Sequence, residues 1–199
     1  IIYYKSDSEI QQVKTYHWNG KLESISNYKN NLVEGTSTWY RILGNLHAIK
    51  TYKKGKKEGL YKDYHFKEEI TWHQGAYKED QKSGEWQTFH KNGIVSEKEN
   101  YINGIKQGEA NKFDKDGNLI ESLFYVDDVV NGDGIFYYKN GKIDRTGKII
   151  NGKEEGEWKS FYDSGELEGI CHFENGKVVG EMIGYHKDGQ LLQKLHFVN

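Results

Sequence analysis

"NGKEEGEWKSFYDSGEL", residues 151–167, sets an Asn-Gly pair and a Ser-Gly pair on either side of a short aromatic segment. Alone it describes one β-hairpin. The chain, however, repeats it. Aligned on the aromatic that closes "EWKSF", the anchors are Tyr16, Tyr40, Tyr64, Phe89, Phe113, Tyr137, Phe161 and Tyr185, separated by 24, 24, 25, 24, 24, 24 and 24 residues. No single globular core demands such spacing, so the chain reads first as a repeat array.

With the anchor at position zero, position four is glycine in seven of eight units and position six is aliphatic from Leu22 to Leu191. Position twelve holds Tyr28, Tyr52, Tyr77 (one place late), Tyr101, Tyr125, Ile149, Phe173 and Phe197. Even intervals between six and twelve put these residues on one face of a strand. Asn-Gly and Lys-Gly pairs near position fifteen supply the positive φ of a tight hairpin turn. Asn31 and Asp128 replace glycine there and are expected to loosen their turns. Position nineteen is Gly35, Gly59, Gly84, Gly108, Gly132, Gly156 and Gly180. These structural glycines are expected to leave bare backbone on which the position-twelve ring of the facing strand lies flat. A lone hairpin is marginal in water, so stacked units must supply the burial.

The fold expected is all-β: an elongated single-layer antiparallel sheet of about eight tandem 24-residue hairpins, one array over 1–199 with a partial unit at 1–15. The third unit has Glu68 where glycine belongs and one extra residue, which predicts an altered turn and a bulge within 65–82.

Composition fits thin, half-wet sheets. Only 35% of residues are hydrophobic and mean hydropathy is −0.90, yet 14% are aromatic, including 15 Tyr and 5 Trp. Proline is absent, so the turns rest on 23 glycines. A formal charge of −2 argues against a nucleic-acid binder and gives no strong membrane-binding signal. The basic cluster Lys53–Lys57 spans a predicted turn and reads as a solvated loop. One cysteine, Cys171, excludes an internal disulfide framework. No apolar run approaches the ~20 residues of a membrane span. The chain opens on Ile1 rather than methionine, so the natural start is expected upstream and the compartment stays open.

Units such as "YDSGELEGICHFENGKVVGEMIGY" and "YRILGNLHAIKTYKKGKKEGLYKDY" resemble the bacterial variant of the MORN repeat: a turn glycine, a strand ending in Tyr, Asn-Gly-Lys, and a glycine before an aromatic strand. The resemblance runs from about Tyr16 to Asn199, with "IIYYKSD" like the tail of an earlier unit. It implies elongated sheets that serve as interaction or scaffold modules, and proteins of this kind are often labelled antitoxin-like.

Little in the residues suggests catalysis. Glu85, Glu109, Asp133, Glu157 and Glu181 follow the position-nineteen glycines, but equivalent places stand about 9.6 Å apart, too far to converge on one ion. His17, His65, His90 and His186 recur at position one and face the same objection to zinc. Cys171 and His172 are neighbours on a strand and point to opposite faces, which defeats a nucleophile pair. No catalytic residue, cofactor or metal site is therefore expected. Trp18, Trp39, Trp72, Phe136 and Tyr138 lie off position twelve and are the candidates for an exposed interaction surface. The leading expectation is a non-catalytic scaffold that binds a protein through one face of its sheet. Open sheet ends also invite self-association. Alternatives are an antitoxin-like component neutralising a toxin, and a cell-surface module for carbohydrate or choline-type ligands. The last would need paired Trp-Tyr-Tyr cages, which the sequence does not display.

Overall fold

The computed structural model describes residues 10–66 and 69–197, so Glu68 lies outside the described residues. It is all-β. Eighteen strands in open antiparallel sheet make up its regular structure, and the described residues contain no helix. They fall into two compact units that divide at β9.

The first unit holds β1 (Ile10–Tyr16), β2 (Leu22–Lys29), β3 (Leu32–Val33), β4 (Gly35–Tyr40), β5 (Leu46–Lys53), β6 (Lys56–Tyr64), β7 (Thr71–Lys78) and β8 (Gln81–Phe89), with the ends of β9 (Val95–Ile102). The second holds the middle of β9, then β10 (Ile105–Lys106), β11 (Gly108–Phe113), β12 (Leu119–Val126), β13 (Val129–Tyr137), β14 (Ile143–Ile150), β15 (Lys153–Phe161), β16 (Leu167–Glu174), β17 (Lys177–Tyr185) and β18 (Leu191–Phe197). All eight anchor aromatics end a strand, and the position-six aliphatics open the next one, Ile70 lying just before β7.

Each hairpin closes on two residues with positive φ, as a type I′ turn requires. Asn151 and Gly152 have φ of 51° and 77°. Asn30–Asn31 and Asp127–Asp128 adopt the same geometry, with φ of 63° at Asn31 and 65° at Asp128. The expected loosening there is thus corrected: Asn and Asp tolerate the left-handed region well enough to close the same turn. Successive turns are also stitched by backbone. The Gly55 N–H donates to the Val33 carbonyl at 2.9 Å in the first unit, and Gly152 to Val130 at 2.8 Å in the second.

The extra residue of the third repeat goes into its corner turn. There the His65 N–H donates to the Ile70 carbonyl, five residues on, whereas His17 and Arg41 reach only four, to Lys21 and Asn45. The bulge in β7–β8 is not peculiar to that repeat. Equivalent register shifts occur in β5–β6, β12–β13, β14–β15 and β16–β17.

Those bulges also correct the role given to the position-nineteen glycines. The register does set Gly108 opposite Tyr125 and Gly156 opposite Phe173. Yet a Cβ added at either would meet nothing within 4 Å, so no ring lies over them. What they supply is φ of +80° and +69°, and the bulge needs that. Gly35, Gly84 and Gly180 read the same way, and Gly59 has only Thr51 nearby. Gly132 is the exception: its φ is ordinary, and a Cβ there would lie 2.7 Å from the Phe124 Cβ.

Rings do cover glycines, but elsewhere. The Trp86 indole lies on Gly75 and the Trp158 indole on Gly147. Each ring is pinned by its N–H, which donates to Ala76 O and Lys148 O, respectively, at 3.1 Å. The bulge makes this seat: in β14–β15, three residues, 156–158, face Gly147 alone, and the last is the tryptophan. Trp158 is only 3% exposed. At ~25 cal/mol per Å², burying an indole of roughly 200 Å² contributes on the order of 5 kcal/mol, a large share for so thin a sheet.

Candidate interaction surface

Alternation along the strands puts position twelve on the same face as the residues one and three places before each anchor. In the first unit this gathers a ring ladder. Tyr61 lies 5.4 Å from both Tyr77 and Trp86, and Trp86 lies 6.4 Å from Tyr101. Lysines cap it: Lys50 sits 5.4 Å from the Trp39 ring centre, Lys57 4.6 Å from Tyr77, and Lys82 4.4 Å from Trp86. These cation–π contacts cover the rings with aliphatic stems and keep the charges wet. In the second unit Phe136, Trp158 and Phe173 form a shorter row, with the Arg145 guanidinium 4.2 Å over Phe136 and bonded to Glu154 at 2.9 Å.

The five candidate surface residues therefore separate. Trp18 is 90% exposed and Trp72 45% exposed, the latter stacked on His65 at 5.7 Å. Trp39 and Phe136 are half-buried in the ring face, one place before their anchors. Tyr138 is half-buried at a corner turn, where its hydroxyl donates to the Phe161 carbonyl at 2.7 Å. These three are packing residues, which corrects their assignment to an exposed surface. Position twelve is not the only inward place, since strand parity also marks Trp39 and Phe136. Many apolar side chains outside that candidate set are exposed, and among those on corner turns are Leu43 at 63% and Phe66 at 56%. Both follow an anchor by two or three residues, as Trp18 does, and that shared offset is the signal that could have found them.

Trp18, Leu43 and Phe66 thus sit on successive corner turns of the first unit. Neighbouring turns are tied together: the Asn19 amide donates to Ile42 O at 3.0 Å, Lys21 Nζ to Leu43 O at 2.9 Å, and the Asn45 amide to Phe66 O at 3.2 Å. The result is an apolar rim held by polar clamps. The same offsets in the second unit carry Lys115, Asp116, Lys139, Asn140, Asp163 and Lys187, all polar.

Compared with known families, four stretches match the MORN repeat variant: residues 12–30, 82–103, 154–177 and 178–199. Those stretches are MORN-type repeats. No curated protein matches the chain. Repeats of the MORN type are in general non-catalytic and build scaffold-like folds.

Within this MORN-type frame, position one acquires a role. His17 Nε2 lies 3.0 Å from Tyr40 O, Arg41 Nη2 donates to Tyr64 O at 2.6 Å, and His65 Nε2 lies 3.2 Å from Phe89 O. Tyr138 and Tyr162 make the same reach in the second unit, each at 2.7 Å. In these five repeats position one clamps a unit to the next anchor, whereas Asp114 turns back to accept from Asp116 N and Asn118 N at 2.9 Å. The carboxylates Glu85, Glu109, Asp133, Glu157 and Glu181 are exposed, with partners along or across the strands, such as Lys159 for Glu157 at 3.1 Å. Among the described residues no three His, Cys, Asp or Glu stand close enough to hold a metal ion. One polar cluster is tighter: Asp63 accepts from the His73 backbone at 2.8 Å and its ring at 3.0 Å, and from the Tyr61 hydroxyl at 3.2 Å. Burial pushes the Cys171 thiol up, with Glu154 adding to the shift and Arg145 opposing it.

Proposed function

We propose that the chain is a non-catalytic scaffold whose first unit binds a partner protein along the rim of Trp18, Leu43 and Phe66, with Trp72 beside it. The observation that carries this reading is the contrast between equivalent turns: three successive ones in the first unit expose an apolar side chain, whereas at the same offsets the turn after Phe89 and the four of the second unit carry only polar residues. The turns are joined to one another by polar side chains that reach backbone carbonyls, and of the three rim residues Phe66 also lies under the Arg41 guanidinium at 5.2 Å. Large exposed apolar residues grouped on a rigid frame are what protein interfaces use as anchors. A photo-crosslinking residue placed at Leu43 in the natural host tests it. A discrete protein adduct is expected from position 43, lost when Trp18 is changed to Ala, and absent when the crosslinker is at Asp188. Equal adducts from both positions, or none from 43, would sink the proposal.

A further inference from the structure

A groove of about 250 Å³ opens in the first unit across β1, β2, β4 and β5. Its walls include the rings of Tyr28, Trp39 and Tyr52, and its floor carries the hydroxyls of Ser24, Ser26 and Ser37. All three are buried, Ser37 to 0% exposure. Ser24 is satisfied by Thr15 Oγ1 at 2.7 Å. Among the described residues, Ser37 Oγ and Trp39 Nε1 are buried without a hydrogen-bond partner. Leaving such groups unpaired costs about 1–3 kcal/mol each, so the fold bears a penalty that a ligand bonding to both would remove.

The corresponding region of the second unit lacks this opening. There a space of only about 30 Å³ remains, because Lys106–Glu99 and Lys112–Glu121 ion pairs fill it. The first-unit groove instead contains three rings and a row of hydroxyls, a Trp-Tyr-Tyr surround that the repeat pattern alone does not reveal.

We propose that this groove binds a small neutral polyol, of the size of one sugar residue. Its C–H face would lie against Tyr28, Trp39 and Tyr52. Its oxygens would accept from the Trp39 N–H, a donor only, and bond to Ser37. The surroundings argue against a cation. Lys50 Nζ, 5.4 Å from the Trp39 ring centre, already places a positive charge beside the groove and repels a second one. Among the lining residues the one carboxylate is Glu23.

The test is NMR of the full chain, following the Trp39 indole N–H, identified by its disappearance in Trp39→Phe. Glucose, galactose and N-acetylglucosamine are the probes, with choline and inorganic phosphate as charged comparisons. At least one sugar is expected to shift this resonance saturably, while choline and phosphate do not. Ser37→Ala separates binding from folding. It should weaken the sugar about tenfold, the loss of one good hydrogen bond, while raising the melting temperature because an unpaired hydroxyl is removed. A resonance unmoved by all three sugars overturns the proposal, as does one moved by choline or phosphate instead. Equal affinity in Ser37→Ala, or a lower melting temperature, overturns it too.

Discussion

Gly147 and Gly156 belong to the same hairpin, β14–β15, and a methyl group would meet a different obstacle at each. At Gly147 it would run into the Trp158 indole, which cannot move aside without losing its bond to Lys148 O. At Gly156 it would find open space but an L residue held at φ +69°. Gly147→Ala should therefore cost about 2–3 kcal/mol through overpacking and Gly156→Ala about 1–2 kcal/mol through backbone strain. Asparagine tells the two apart: it should recover part of the loss at 156 and none at 147, read from urea midpoints. Tyrosines set a second expectation. Burial, then Asp63, raises the Tyr61 hydroxyl, while burial, then Asp144, pushes Tyr138 up to about 12. The native state thus holds these protons where an unfolded chain, titrating near 10, would release them. Their stabilisation is complete below pH 10 and fades as pH rises from 10 towards 12. Urea midpoints should fall across that window, less steeply in Tyr138→Phe. Midpoints unchanged between pH 10 and 12 would count against the assignment.

At the scale of the element, a hairpin is joined to the next at both ends, by backbone at the type I′ turn and by the position-one side chain at the corner. The Tyr162 hydroxyl makes the corner bond to Tyr185 O at 2.7 Å. Tyr162→Phe should cost on the order of 1 kcal/mol, with the loss confined to nearby strands. Amide exchange should quicken in the His186–Gly189 turn and β18 and stay unchanged in β1–β6. Acceleration spread evenly over the chain would show that the clamp is not local. The corner clamp was hard to read because histidine, arginine and tyrosine share no chemistry beyond length and a polar tip. The type I′ turns were legible, since few residues accept two successive positive φ values.

For the whole molecule, a period of 24 residues means that one unit can be removed without changing which edge meets which. Deleting residues 137–160 brings Phe161 to the place of Tyr137 and removes Gly147 together with the Trp158 that covers it. The shortened chain should keep its β circular-dichroism spectrum and melt cooperatively, a few degrees lower for a loss on the order of 2 kcal/mol. Deleting residues 137–148, half a period, removes the corner and most of β14, runs β13 straight into Ile149, and should abolish the cooperative melting of the second unit. If both deletions fold alike, the period is not the structural unit.

The sequence by itself determined the period, the all-β class, the strand ends at the anchors and the tight turns. Each depends on residues within a few places of one another, and the array repeats that local code eight times. Tertiary structure decided which glycines the rings cover, because a bulge of three residues against one slides the facing strand by two places while keeping its alternation. That is why Trp86 and Trp158 cover Gly75 and Gly147, while Gly108 and Gly156 stand bare. It also decided the serine-floored groove, which forms only when side chains from successive repeats meet across strands, a distance that no spacing along the chain encodes.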